Sequence, residues 1–327
     1  MHTHTIAVVL VAAGLAVPSL AFAQRVPFER AFDVPDAATL EVTTVRGRIT
    51  IVAGDPGRIV VAGEVTVRVG WDVPANAADL AREIAASPPV VLDGAIVRAQ
   101  PPPDPVAQRA VTVSYEIRVP PGTTVRSVSD SGATSVTHVT GAVDVQTHTG
   151  AIALTALGGT VVVSSGSGAI RTDAIAGALQ VTTTSGAFTG SQVGSSLRVR
   201  TQSGDVDAAL TGHGDVDVET GSSAIRLRGV DGGALVKTQS GQVTIDGAPA
   251  RAWTVRTSSS AVTMSLTPDS RCSIDAATRS GSITVSPDLV QGTIAKRAVA
   301  GAIRGGGPVV LIRSGSGSIR IQAVPAP

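Results

Sequence analysis

From Gly132 onward, apolar and polar residues alternate in short bursts, and the bursts recur on a nearly fixed period. Successive units read GATSVTHVTGAVDVQTHT from Gly132, GAIALTALGGTVVVSSGS from Gly150 and GAIRTDAIAGALQVTTTS from Gly168. Further units open at Gly186, Gly204, Ser223, Gly241, Ser260, Gly281, Gly301 and Gly317, with spacings of 18, 18, 18, 18, 19, 18, 19, 21, 20 and 16. Each unit holds two period-two runs, one of the form G-A-I-x-L and one of the form L-x-V-x-T-x-S. Such alternation predicts a strand with one buried face. A turn containing Gly141, Gly159, Gly177 or Gly232 separates the runs, and a Ser-Gly pair closes many units. Glycine is expected in these turns for its tolerance of positive φ.

One such unit cannot bury its own apolar face, whereas stacked neighbours can, so a period of this size predicts a solenoid. Two strands per coil make it an all-β fold, a flattened two-sheet parallel β-solenoid of about ten coils rising ~4.8 Å each. Each coil takes 18 residues. The series Ile152, Ile170, Phe188, Val206 and onward to Ile283 is expected to line one sheet; Val145, Val163, Val181, Val199 and onward to Val255 the other. A left-handed hexapeptide helix also spends eighteen residues per coil, but its apolar residues would recur every six, and here they do not. A column of hydroxyls from Thr147, Ser165, Thr183 and Thr201 to Thr278 falls inward beside the glycine turn. It is expected to form a ladder hydrogen-bonded along the stack. Outward positions carry ordered charge. Arg198 and Arg200 precede Asp217 and Glu219 by one coil, and Lys237 follows; Asp207 is expected on Arg226, and Arg228 on Asp246.

The N-terminal third departs from the repeat. Residues 1–23 read as a signal peptide: a twelve-residue apolar run, Ile6 to Val17, then Ala21-Phe22-Ala23 as a cleavage site. That run is too short to span a bilayer, which needs ~20 apolar residues. Residues 24–120 are expected to form a mixed cap, and residues 121–327 the β-solenoid repeat domain. The cap holds one repeat-like coil, LEVTTVRGRITI from Leu40 to Ile51, and a helix over NAADLAREIAAS with Asn76 as N-cap. Pro101 to Pro103 and Pro105 read as an extended loop, and VTVSYEIRV from Val111 to Val119 as a strong strand. Open solenoid ends expose unpaired strand edges, so a cap is physically required. The closing Pro325 and Pro327 would discourage end-to-end growth. A local break is expected in the 281–300 unit, where Lys296 replaces the usual Val.

Composition agrees with many short strands: 43% hydrophobic, 2% aromatic, 36 Gly and 19 Pro. A net charge of +1 gives no nucleic-acid footprint, and one cysteine, Cys272, excludes an intramolecular disulfide framework and multi-cysteine metal sites. No nucleophile-elbow, metalloprotease, dithiol or P-loop motif occurs. The best constellation is GDVDAALTGHGDVDVE, with Asp205, Asp207, His213, Asp215, Asp217 and Glu219. Carboxylates with a histidine could serve acid–base chemistry or hold Ca²⁺. Yet alternation puts Asp205 and Asp207 on one sheet and Asp217 and Glu219 on the other, so they should not converge. His213 and Asp215 remain the pair worth testing. His138 and His148 are expected to be exposed, Trp253 to fill core, and Cys272 to sit inert in a longer turn. No catalytic, cofactor-binding or metal-binding residue is therefore assigned, and no cofactor is expected. The six aromatics beyond the apolar run's cleavage site (Phe28, Phe32, Trp71, Tyr115, Phe188, Trp253) form no repeated stacking column of the kind a lectin or lyase would use.

The stretch YEIRVPPGTTVRSVSDSGATSV, Tyr115 to Val136, followed by tandem T-x-S-G-x-I units, resembles the bacterial β-strand-repeat family labelled "putative adhesin". The resemblance spans the chain from LEVTTVRGRITI to GSIRIQ. It implies a β-solenoid exposed in the cell envelope and brings no catalytic residues. The expectation is an exported, non-enzymatic interaction module of the periplasm or cell surface, adhesin-like, whose partner is an envelope or surface protein or a glycan. Nucleic acid is not an expected partner, and no transmembrane segment follows the apolar run. Two rivals remain: an envelope-stress or regulatory accessory binding through its cap, and a polysaccharide-active β-helix enzyme.

Overall fold

The computed structural model describes residues 25–70 and 73–323. The expected signal peptide, Trp71 and the terminal prolines lie outside them. Two sheets of 14 and 15 strands face each other across one apolar core. Neighbouring strands between Thr124 and Leu266 pair in parallel at offsets of 18 or 19 residues: Ile152 lies beside Ile170, Ile170 beside Phe188, Phe188 beside Val206, and Val206 beside Ile225. These residues are buried in the first sheet, and Val145, Val163, Val181 and Val199 are buried in the second. The alternation seen in the sequence is thus the inside–outside alternation of the strands.

The positive φ expected of glycine at the coil boundary holds at Gly47 and Gly241, at 116° and 114°, but most boundary glycines have a different cause. Gly150, Gly168, Gly186 and Gly204 do not adopt positive φ. Instead, a Cβ on each would overlap the carbonyl oxygen of the boundary glycine one coil earlier. Close approach of backbone to backbone, not handedness, excludes a side chain here. Positive φ falls to non-glycine residues in the first sheet: His138, Ala156, Ala174 and Gln192 at φ 60°, 54°, 54° and 52°. There the strand skips one residue, as where Thr155 and Leu157 pair with Asp173 and Ile175 while Ala156 is left out.

The hydroxyl column is also corrected. Thr147, Thr183 and Thr201 are buried, but their Oγ1 atoms accept from the backbone N–H of Gly150, Gly186 and Gly204 in the same coil, at 2.9, 2.9 and 3.0 Å. Each hydroxyl closes its own corner, because the chain folds back over it three residues later. The cross-coil bond appears at Thr278, which donates to the carbonyl of Gly317 at 2.9 Å.

Both ends of the stack depart from sequence order. The coil made by Thr39–Thr44 and Ile49–Ala53 sits between two later pieces of chain. Thr39–Thr44 pairs with Ile96–Ala99 on one side and Thr124–Ser129 on the other; Ile49–Ala53 lies between Val111–Val119 and Thr134–Thr137. At the far end the last coil, Val309–Ser314 and Ile319–Ala323, inserts between the coil of Trp253–Thr257 and Val262–Leu266 and that of Cys272–Thr278 and Ile283–Val285. The unit expected at Gly301 is no coil. Gln291–Ile294 and Ala298–Ile303 form an antiparallel hairpin against Cys272–Thr278, which realises the break expected near Lys296. Cys272 therefore opens a buried strand and does not sit in a turn, and burial pushes its thiol pKa up to about 11.

The N-terminal end is closed by antiparallel strands Arg25–Asp33 and Arg58–Val67 beside Val111–Val119. Helix Ala77–Ala86 packs on them through Ala77, Ala81 and Ala85, one small-residue stripe that admits close approach. Asn76 makes no side-chain cap. The proline-rich loop hides a second helix, Pro105–Ala110, where Asp104 accepts from Val106 and Ala107 N–H at 2.9 and 3.3 Å. Proline at the first helical turn needs no N–H, and Asp104 supplies the cap.

Two substitutions test this account by chemical denaturation. Gly168→Ala should cost roughly 2–3 kcal/mol through backbone overlap, whereas Ala156→Gly should gain about 0.5 kcal/mol by relieving the left-handed alanine. A neutral Gly168→Ala would refute the close-approach explanation.

Candidate functional site

The carboxylate–histidine constellation occupies two coils but two opposite faces. Asp205 immediately precedes and Asp207 lies within strand Val206–Leu210 of the first sheet; Asp217 and Glu219 lie on Val216–Ser222 of the second. The core separates the two pairs, as alternation predicts. Each carboxylate has a partner on an adjacent coil. Asp205 accepts from the Ala224 N–H at 3.0 Å, and Asp207 holds Arg228 at 2.6 Å and Arg226 at 3.6 Å. Asp217 is gripped by Arg200 at 2.8 and 3.0 Å and approached by Arg198 at 3.4 Å, while Glu219 meets Arg200 at 3.3 Å.

The expected register pairs Arg198 with Asp217, Arg200 with Glu219, and Asp207 with Arg226 are present. Arg228 does not reach Asp246; it turns back to Asp207. The cause is local: the pairing register shifts between Leu227 and Val230, where Gly229 has φ 69°.

His213 and Asp215 are not each other's partners. His213 Nδ1 lies 2.6 Å from Asp231, a residue the sequence reading passed over although it follows His213 by one coil. Asp215 accepts from the Gly233 N–H at 2.7 Å and pairs with Arg251 at 2.9 Å. Arg251 also donates to the His213 carbonyl at 2.6 Å. Gly233, lying between them without a side chain, leaves the path open for an arginine from two coils away. His213 is 86% exposed at its side chain, so this pair has no walled site in which to work.

Among the described residues no cluster of three or more histidine, cysteine, aspartate or glutamate side chains could hold a metal ion. His138 and His148 are exposed. Trp253 is fully buried, its indole N–H donating to the Gly232 carbonyl at 2.8 Å. The carboxylates are thus tied to the stack, and what the outer faces offer is a grid of side chains repeating from strand to strand.

The Toastrack DUF4097 family model matches residues 116–322. The chain belongs to the Toastrack family. The match begins inside the strand Val111–Val119, and the Toastrack coils then run to the last strand. Two solved structures are also similar. One is a "putative cell adhesion protein" from Clostridium sporogenes, at 11% identity and TM-score 0.24, covering 91% of this chain and 100% of that one. The other is a "putative adhesin" from Bacteroides fragilis, at 10% identity and TM-score 0.31, covering 91% and 97%. The adhesion wording belongs to those proteins. No curated protein matches the chain.

The Toastrack charge ladder has a measurable signature. The Arg200 guanidinium hydrogen-bonded to Asp217 holds its carboxyl below the usual carboxylate range. A folded-state pKa depressed below the unfolded one contributes stability that is fully present above the unfolded value. It is lost as pH falls through the folded one. Asp217→Asn should therefore lower Tm at neutral pH, and the gap from wild type should close as pH drops below the ordinary carboxylate range, ~4. A gap that persists in acid would mean the residue acts by packing.

Proposed function

We propose that this chain is an exported, non-enzymatic interaction module of the periplasm or cell surface. In this reading the outer sheet faces make repeated weak contacts with an envelope or surface protein or a glycan. The observation that carries the proposal is the fate of the carboxylates: they pair between coils on opposite faces and surround no common point. Most glycoside hydrolases need two carboxyl groups flanking one bond. A binding rod needs only a rigid, repeating surface, and the parallel ladder supplies that.

A second reading, a regulatory or envelope-stress accessory that binds through its cap, draws on one observation. Val69, Val91 and Leu92 are 82%, 54% and 41% exposed at the capped end. Exposed apolar side chains gathered near one end fit a protein contact better than a glycan contact.

Fractionation of the native host with added protease tests the proposal. Cleavage of the protein on intact cells is the expected result for a surface rod. Release only with the periplasm would overturn the surface reading. Capture of an envelope protein that Val91→Asp with Leu92→Asp abolishes would then establish the cap as the binding end.

A further inference from the structure

One register column on the outer face of the second sheet runs along the stack beside the hydroxyl corner. Its early positions are uncharged: Gln146, Ser164 and Thr182. Arg200 and Glu219 follow as a pair of opposite sign. Next come three cations on three consecutive strands, Lys237, Arg256 and Arg313. Like charges directly opposite on neighbouring strands are destabilising, and the strands lie only ~4.8 Å apart.

The third cation is there because the last coil is inserted out of order. Had Cys272–Thr278 followed Trp253–Thr257 directly, Ala277 would stand where Arg313 now stands, since Ala277 and Arg313 share the register position. Arg313 is anchored by Asp275 at 2.6 Å, and Glu219 is engaged by Arg200. Among the described residues Lys237 and Arg256 form no ion pair. A shallow groove of about 720 Å³ runs over the column; Lys237, Arg256, Arg279 and Arg313 line it with a single carboxylate, Glu219. Elsewhere on the second sheet arginine meets carboxylate from strand to strand, as Arg98 does Glu41, Arg126 does Asp144 and Arg200 does Asp217, so three adjacent cations in one column are a local exception on this face.

We propose that this groove binds an acidic polysaccharide, with carboxylate groups of the polymer set against Lys237, Arg256 and Arg313. The proposal rests on the interaction-module reading and gives it a ligand class. A linear row of cations at strand spacing suits a chain carrying charge at regular intervals. Gln239, Thr257 and Ser258 beside the row offer the mixed donors and acceptors that sugar hydroxyls require. Phosphate sites favour clustered backbone N–H groups, which a flat ladder has already committed to its neighbouring strands. Single-stranded nucleic acid favours aromatic platforms, and none lines the groove.

The test measures binding of the folded chain to polygalacturonate, with dextran, inorganic polyphosphate and single-stranded DNA as competing arms, together with thermal melting. Polygalacturonate should bind, weakening at least about tenfold between roughly 50 and 200 mM NaCl. Dextran should not bind, and polyphosphate and DNA should bind more weakly. Arg256→Glu places a carboxylate between two cations, so it should raise Tm while cutting polygalacturonate binding about tenfold or more. Arg171→Glu on the opposite sheet should leave binding unchanged, and Lys237→Gln with Arg256→Gln provides a charge-neutral check. A fall in Tm with Arg256→Glu would make the column structural and overturn the proposal. So would unchanged binding in the variants, or tighter binding of DNA or polyphosphate. If polymer binding fails while an envelope protein is still captured by the intact chain, the ligand class falls and the interaction-module reading stands.

Discussion

Successive coils crowd together at both corners, at Gly159, Gly177 and Gly212 on one side and, on the other, where the carbonyl oxygen of one boundary glycine occupies the place a side chain would need on the next. That contact fixes how the chain turns from the second sheet into the first, and it recurs from Gly132 to Gly204. The buried hydroxyl three residues earlier holds the same turn from inside by accepting the glycine N–H. With corner and ladder both fixed, every other position is locked into a column. The inward columns become the core, and the outward columns become two grids.

This regularity explains why the molecule carries its chemistry as surfaces. Catalysis asks several side chains to meet at one point, usually from loops on a scaffold. Here neighbouring side chains in a column lie side by side along the stack, and columns on opposite faces are separated by the core. Charges in such a grid interact mainly with the next coil, as Arg200 does with Asp217 and Glu219. Asp207, Asp215, Asp217 and Glu219 each find an arginine one or two coils away, while Asp205 takes a backbone N–H of the next coil. The grid is therefore well suited to long, repeating partners and poorly suited to enclosing a small one.

Much of this was legible in the sequence because the repeat spacing maps each residue onto one 18 or 19 positions later, and pairing follows that offset. The core stripes, the inward hydroxyls and the Arg198–Asp217 register could all be read from it. Three kinds of feature could not. The role of the boundary glycine depends on a backbone atom one coil away, which no local rule of turn chemistry contains. The partners of Asp215 and Arg228 depend on Gly233 leaving a path for Arg251 and on a one-residue skip at Gly229. Finally, the helix after Asp104 was hidden by its own prolines, although aspartate before proline is an ordinary way to start a helix.

The order of the terminal coils was the least legible feature, and it has the widest physical consequence. A solenoid stacked strictly in sequence order ends in two coils that can fray, since each is held on one side only. In this chain the first and last coils, Thr39–Ala53 and Val309–Ala323, are each paired on both sides. Peeling either away breaks two ladders at once. Three of the four sheet edges are tied by antiparallel pairing, and the fourth, Ile283–Val285, lies parallel to Ile319–Ala323. In a nearest-neighbour stack, stability is a sum of coil and interface terms, and an exchange of this kind leaves the number of interfaces unchanged while giving the coil nearest the chain end two of them. It also brings side chains from the last coil, Arg313 among them, into a neighbourhood that the linear repeat would never have given them.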